Sequence, residues 1–157
     1  GHASSFGHAF AKAEMGAGAR IPTEGAALLT VNDFDKGAIV RIARDLVRMG
    51  FTIYATRGTA SWLRQIGVEA EGVNKVSEGS PHTVDLIVQG KVSLVVSTPL
   101  GSQAYADGQE LRSAAVRYGV MLVTTLTGAA ATVQAIRALR SKSLRVRSLQ
   151  EHHGERS

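Results

Sequence analysis

The chain has 157 residues, 44% of them hydrophobic and 20% charged, with no cysteine and a formal net charge of +5. At this length one domain buries about two-thirds of the surface its unfolded chain exposes, so its stability requires neither a metal nor a disulfide. The missing cysteines exclude a thiolate nucleophile, an iron–sulfur cluster and a cysteine zinc site, and they fit a reducing compartment. No run approaches the roughly 20 apolar residues needed to cross a bilayer, and the first residues lack the order of a signal peptide. A cytoplasmic protein with no membrane partner is the expectation.

The positive charge is unevenly placed. Residues 1–24 are net 0, residues 25–133 net +1, and residues 134–157 net +4. Arg137, Arg140, Lys142, Arg145 and Arg147 therefore read as a solvated helix end, and no aromatic residues interleave them to stack on bases. No nucleic-acid partner is expected.

In chain order, Phe6, Ala9, Phe10 and Ala13 have helical spacing, and Gly16-Ala17-Gly18-Ala19 interrupts them. Residues 1–22 read as a linker helix and linker, 23–150 as a domain and 151–157 as a tail. After Pro22, short aliphatic runs at 27–31, 51–55, 71–74, 92–98 and 121–124 read as strands. Between them lie helices. The stretch 36–49 carries Ile39, Ile42, Ala43, Leu46 and Met49 on one stripe, with Asp33 and Asp35 as caps and Gly50 as terminator. A second helix spans 59–66. Ser80-Pro81 predicts a cap with proline at the first helical position, closing at Gly90. Asp107-Gly108-Gln109-Glu110 predicts a capping box whose helix stops at Gly119, and 127–139 is the last. Short strands joined through helices pair in parallel. The expected fold is a three-layer α/β/α sandwich with a mostly parallel sheet of about five strands.

In such sheets ligands bind beyond the carboxyl ends of the strands. Those ends carry Thr30, Asn32, Asp35 and Lys36, then Thr56-Arg57-Gly58-Thr59, Asn74-Lys75, Ser97-Thr98-Pro99-Leu100-Gly101, and Thr124-Thr125-Leu126-Thr127-Gly128. Hydroxyls, two lysines and helix-opening glycines on one edge suit a phosphate, because free N–H groups, hydroxyl donors and full positive charge all favour an anion. Thr-x-Gly-Thr alone is equally a tight turn with a cap. Its placement beside the lysines is what carries the reading. The triphosphate cradle, the dinucleotide fingerprint and the serine nucleophile elbow are absent from the sequence. His82 reads as a surface or anion-facing residue of a helix's first turn and Asp85 as an exposed helical carboxylate. His152-His153 has no ligand set around it, so no metal site is expected.

At these junctions the sequence resembles a known family. Ser5-Phe6-Gly7-His8-Ala9-Phe10-Ala11-Lys12-Ala13, Thr30-Val31-Asn32-Asp33-Phe34-Asp35-Lys36, Ala55-Thr56-Arg57-Gly58-Thr59-Ala60, Val73-Asn74-Lys75-Val76-Ser77-Glu78-Gly79, Thr98-Pro99 with Gly101, Asp107-Gly108 with Glu110-Leu111-Arg112, and Thr124-Thr125-Leu126 are similar to the linker helix and C-terminal regulatory domain of carbamoyl-phosphate synthetase large chains. The resemblance implies a methylglyoxal-synthase-like fold that serves pyrimidine and arginine biosynthesis as an allosteric nucleoside monophosphate site, with UMP as inhibitor and, in many members, IMP as activator. It implies no catalysis by this part alone and no cofactor. The implied partners are the rest of the large subunit and, indirectly, its glutaminase small subunit. By matching position, Lys36, Thr56, Gly58, Thr59, Lys75 and Thr98 would hold phosphate and ribose, with Thr30 on the floor, Leu111 near the base, and Asn74, Ser97 and Gly101 at the periphery.

The sequence departs from the family at Ser97, commonly asparagine, and at Leu100, Ser102 and Gln103, which replace a polar, arginine-rich stretch. Val123 offers no carboxylate for a cationic activator, so an ornithine contact is not expected. The enzyme alternative is methylglyoxal synthase, acting on dihydroxyacetone phosphate with aspartates as acid and base. Those aspartates would fall near Ser80 and at Thr98, and a hydroxyl cannot replace them. The formyltransferase–cyclohydrolase relative of purine synthesis also has a Thr-x-Gly-Thr turn, but Asn74-Lys75-Val76 and the linker helix disfavour it.

Overall fold

Strand β1 (Ala26–Val31) is apolar on both faces, and that places it at the centre of the sheet. The computed structural model describes residues 20–156; the expected linker helix lies outside the described residues. Following β1, a single 3-10 turn (Asp33–Asp35) leads into helix α1 (Lys36–Arg48). Next come β2 (Thr52–Thr56), α2 (Arg57–Gln65), β3 (Glu71–Val73), a second 3-10 turn (Val76–Glu78) and α3 (Thr83–Val88). The chain continues through β4 (Leu94–Thr98), α4 (Ser102–Tyr118), β5 (Met121–Val123) and α5 (Leu126–Arg156). The five strands are all parallel in the order β3-β2-β1-β4-β5. This is the three-layer α/β/α sandwich expected from the alternation of short apolar runs and amphipathic helices.

Side-chain alternation along each strand divides the core into two layers. Leu29, Ala55, Leu94 and Val96 face Ile39, Leu46, Leu63, Val133 and Ile136 of α1, α2 and α5. Leu28, Val95 and Leu122 face Leu86, Ile87, Leu111 and Ala115 of α3 and α4. Register carries the alternation to the strand ends: Thr30 lies beside Ser97, and Val31 beside Thr98. After β1 the chain turns outward to β2, whereas β4 is reached from β3 by crossing back over two strands. The β1 and β4 exits therefore diverge to helices on opposite faces, which opens a crevice between them.

Three helix boundaries differ from the sequence expectation. Helix α3 starts at Thr83, not at Pro81, because the residues from Pro81 still pair with Asn74 at the end of β3. The Pro81 carbonyl accepts from the Asn74 amide at 3.4 Å, and the Thr83 amide donates to the Asn74 carbonyl at 3.1 Å. Helix α4 starts at Ser102, with Gly101 at φ 93° as its N-cap, so Asp107 and Gly108 are interior residues. Helix α5 runs past Leu139 to Arg156, although residues 141–150 are exposed throughout. The terminator glycines behave as expected: Gly119 sits at φ 68° and closes α4 in the left-handed region that a side chain would strain.

Candidate anion-binding site

The crevice at the β1 and β4 exits is a cavity of about 260 Å³. Its floor is made of hydroxyls. Thr56, Thr59, Thr83, Ser97 and Thr98 line it and are all buried, and Thr30 completes the set. Thr30, Thr56 and Ser97 point to the α3–α4 face by strand alternation, which is why the floor opens on that side.

Positive charge enters from two elements. Lys36 is the first residue of α1, and its backbone carbonyl accepts the Trp62 indole N–H at 2.9 Å, which pins the start of α1 against α2. Its ammonium pairs with Asp33 and lies 3.5 Å from where a Cβ on Gly58 would stand. Lys75 follows β3, and its amide donates to Glu78 Oε1 at 2.7 Å, which fixes the turn that carries it. The Lys36 hydrogen bond, then its charge, hold the Asp33 carboxyl below the ordinary 3.8, and the Lys75 charge adds to this. Two ammonium groups thus act on one rim.

Helix α2 brings the third component. Thr56 is its N-cap, yet the Thr56 side chain makes no capping bond. Its hydroxyl instead lies 3.5 Å from that of Thr59. The first amides of α2 therefore remain available, next to a glycine that lets a ligand come close.

The remaining lining holds the walls. The Asn32 amide donates to Thr98 Oγ1 at 3.2 Å and its Nδ2 donates to the Thr98 carbonyl at 3.0 Å, binding the β1 exit to the β4 exit. On the opposite wall Asp107 accepts from the Ser77 hydroxyl at 3.0 Å and from Gln103 Nε2 at 3.2 Å.

Of the residues expected from the sequence, Lys36, Thr56, Gly58, Thr59, Lys75, Thr98, Thr30, Ser97 and Leu111 all line the cavity. Asn74 and Gly101 stand outside it. Asn74 accepts from Arg57 Nε at 2.8 Å and donates to the Gly79 carbonyl at 3.1 Å, so it braces the Lys75 turn. Gly101 shapes the start of α4. Sequence reasoning missed Thr83, Asp107, Gly108 and Phe34 as lining residues. It looked for the carboxylates of a lyase only near Ser80 and at Thr98, whereas Asp33 and Asp107 are the carboxylates on the lining. The capping-box pattern placed Asp107 at a helix start; a helix already under way at Ser102 turns it onto the cavity wall instead. His82 and Asp85 are not on the lining. They cap α3 together: the His82 amide donates to Asp85 Oδ2 at 2.8 Å, and His82 Nδ1 accepts from the Asp85 amide at 3.4 Å.

Among the described residues no cluster of His, Asp and Glu could hold a metal ion, and no helix is long and apolar enough to cross a membrane.

Residues 38–124 match the family model described as the MGS-like domain. The chain is 48% identical over 150 residues to the carbamoyl phosphate synthase large chain, C-terminal section, of Methanopyrus kandleri, covering 95% of this chain and 28% of that protein. It is 43% identical over 151 residues to the carbamoyl phosphate synthase large chain of Archaeoglobus fulgidus, covering 96% and 14% respectively. For the large chain of Nostoc sp. the values are 41% over 149 residues, 95% and 14%. The chain thus spans between about a seventh and a little over a quarter of these relatives. The crystal structure of methylglyoxal synthase from Elizabethkingia anophelis superposes with a TM-score of 0.58 at 18% identity, covering 71% of this chain and 78% of that one, a likeness of fold. Sheet order, strand-end residues and these matches agree, and the chain belongs to the MGS-like domain family.

Proposed function

We propose that this chain is the regulatory part of a carbamoyl phosphate synthase large chain and that its cavity holds a nucleoside monophosphate. The observation that carries the reading is the convergence of Lys36, Lys75 and the uncapped N-terminus of α2 on one cavity floored by buried hydroxyls. The phosphate would lie between the two ammonium groups and the α2 amides, with the Thr56, Thr59 and Thr98 hydroxyls donating to it. Thr98 Oγ1 already accepts from the Asn32 amide, so its proton is left to donate. Asp107, on the α4 wall of the cavity, offers an acceptor suited to sugar hydroxyls. UMP as inhibitor and IMP as activator follow from the resemblance. Either would regulate only by binding two arrangements of the domain and its partners with different affinity, with a coupling of about 1–3 kcal/mol. The partners are the rest of the large chain and, through it, the glutaminase subunit, in a cytoplasmic biosynthetic enzyme that needs no cofactor in this part.

Calorimetric titration with UMP, IMP and inorganic phosphate, repeated on Lys75→Ala, tests the reading. Nucleotide at 100 times its Kd should add about 2.7 kcal/mol to folding stability, and Lys75→Ala should abolish most of that gain. No binding of any of the three would sink it.

The lyase alternative gains one observation, the two carboxylates on the lining. Asp33 suits a base poorly, because Lys36 holds its carboxyl below the ordinary range. Asp107 already accepts from Ser77 and Gln103. Release of phosphate and methylglyoxal from dihydroxyacetone phosphate by the purified chain would establish that alternative.

A further inference from the structure

The mouth of the cavity carries an aromatic residue that the fold does not use. Phe34 is 86% exposed, the most exposed of the large hydrophobic residues described, yet it lines the cavity. Its backbone is well fixed. It lies inside the Asp33–Asp35 turn, where the Asn32 side chain accepts from the Asp35 amide at 3.0 Å, and Asn32 is itself bonded to Thr98. Across the same pair of loops Leu100, 58% exposed, also lines the cavity. Two large apolar side chains thus stand in water at the lip of a site that also holds two ammonium groups. A lone phosphate would engage the lysines and hydroxyls and leave this lip wet. A phosphate ester with a flat apolar group would cover it.

We propose that Phe34 is the platform on which the base of the bound nucleotide stacks, so that the site selects phosphomonoesters carrying an aromatic base, and a bicyclic base over a monocyclic one. This rests on the nucleoside monophosphate reading above and adds to it the residue that recognises the base. The selectivity is for ring area because a π-face contact scales with overlap and reads no hydrogen-bond edge. Phe34 is exposed, so replacing it leaves the core untouched.

The test is calorimetry on the 157-residue chain with inorganic phosphate, ribose 5-phosphate, UMP and IMP, for the parent, Phe34→Ala and Lys75→Ala. In Phe34→Ala the Kd for IMP should rise roughly 5- to 100-fold and that for UMP less, the range that loss of one base–aromatic stack gives. Phosphate and ribose 5-phosphate should stay within about twofold, and the melting temperature should be unchanged. In Phe34→Trp, IMP should quench the added indole fluorescence and ribose 5-phosphate should not. If Phe34→Ala leaves IMP binding intact while Lys75→Ala removes it, the stacking role is wrong and the phosphate reading stands. Equal weakening of all four ligands would overturn the platform as well, since it would mean a general effect on the turn. If none of the four binds to the parent, both readings fall.

Discussion

The Ser77 hydroxyl donates to the Asp107 carboxylate at 3.0 Å, joining the turn that carries Lys75 to the second turn of α4, 30 residues further along the chain. The bond is exposed, so its share of stability is small, but it closes one wall of the cavity. Ser77→Ala should lower stability by no more than about 1 kcal/mol and weaken IMP and UMP several-fold by loosening Lys75. A melt and a titration on the same sample check both; unchanged affinity would mean that Glu78 and Asn74 hold the turn without Ser77.

Asp33 occupies the Lys36 ammonium that a phosphate would also seek. Asp33→Asn should therefore raise affinity for inorganic phosphate, by roughly two- to fivefold at low ionic strength, and the gain should shrink as salt rises. Titrations at two salt concentrations decide it. Weaker binding in Asp33→Asn would show that the carboxylate orients Lys36 and does not compete for it.

Two glycines on the lining make a matched pair. A Cβ on Gly58 would lie 3.5 Å from Lys36 Nζ, and one on Gly108 would lie 3.5 Å from Pro99 Cγ; both are ordinary contact distances. Gly108→Ala, inside α4, should stabilise the fold by about 0.5–1 kcal/mol through helix propensity. Gly58→Ala should leave the melt unchanged or raised, yet weaken phosphate about tenfold by standing between Lys36 and the α2 amides. Retained phosphate affinity in Gly58→Ala would count against the α2 amides as ligands.

The Asp85 carboxyl lies below its ordinary 3.8, first because the His82 backbone amide donates to it and then through Ser80. A folded-state value below the unfolded one means that its stabilisation is fully present above about pH 4 and is lost as pH falls through the lowered value. Asp85→Asn should cost about 0.5–1 kcal/mol at pH 7 by weakening the α3 cap. The difference from the parent should close as pH falls through the lowered value. Denaturant melts at pH 7, 4 and 3 would show it, and a gap independent of pH would refute the assignment.

The central layers were legible because burial on both faces leaves a distinct pattern: β1 and β4 are near-continuous apolar runs, and Gly50, Gly67, Gly90 and Gly119 follow their helices at positive φ. Lys36, Thr56, Gly58, Thr59, Lys75 and Thr98 could be placed on one edge for the same reason, since parallel pairing aligns all strand ends. Thr83 and Asp107 were not legible. Each reaches the cavity only through helix packing, and local capping signals assigned them elsewhere. The end of α5 was missed because apolar periodicity stops near Leu139, whereas backbone hydrogen bonding and tolerant side chains carry the helix on.

Helix α5 leaves β5 at the carboxyl edge of the sheet, outside the cavity lining, and runs back down the sheet, where Arg140 donates to the Thr23 carbonyl at 2.6 Å, just ahead of β1. Its exposed last turns, with Lys142, Arg145 and Arg147, thus protrude from the pole farthest from Lys36 and Lys75. Positive charge thus gathers in two separate places, the cavity rim and the exposed end of α5. Heparin or a cation-exchange resin should grip the protruding end and leave the cavity free, so retention on such a column measures the wrong pole.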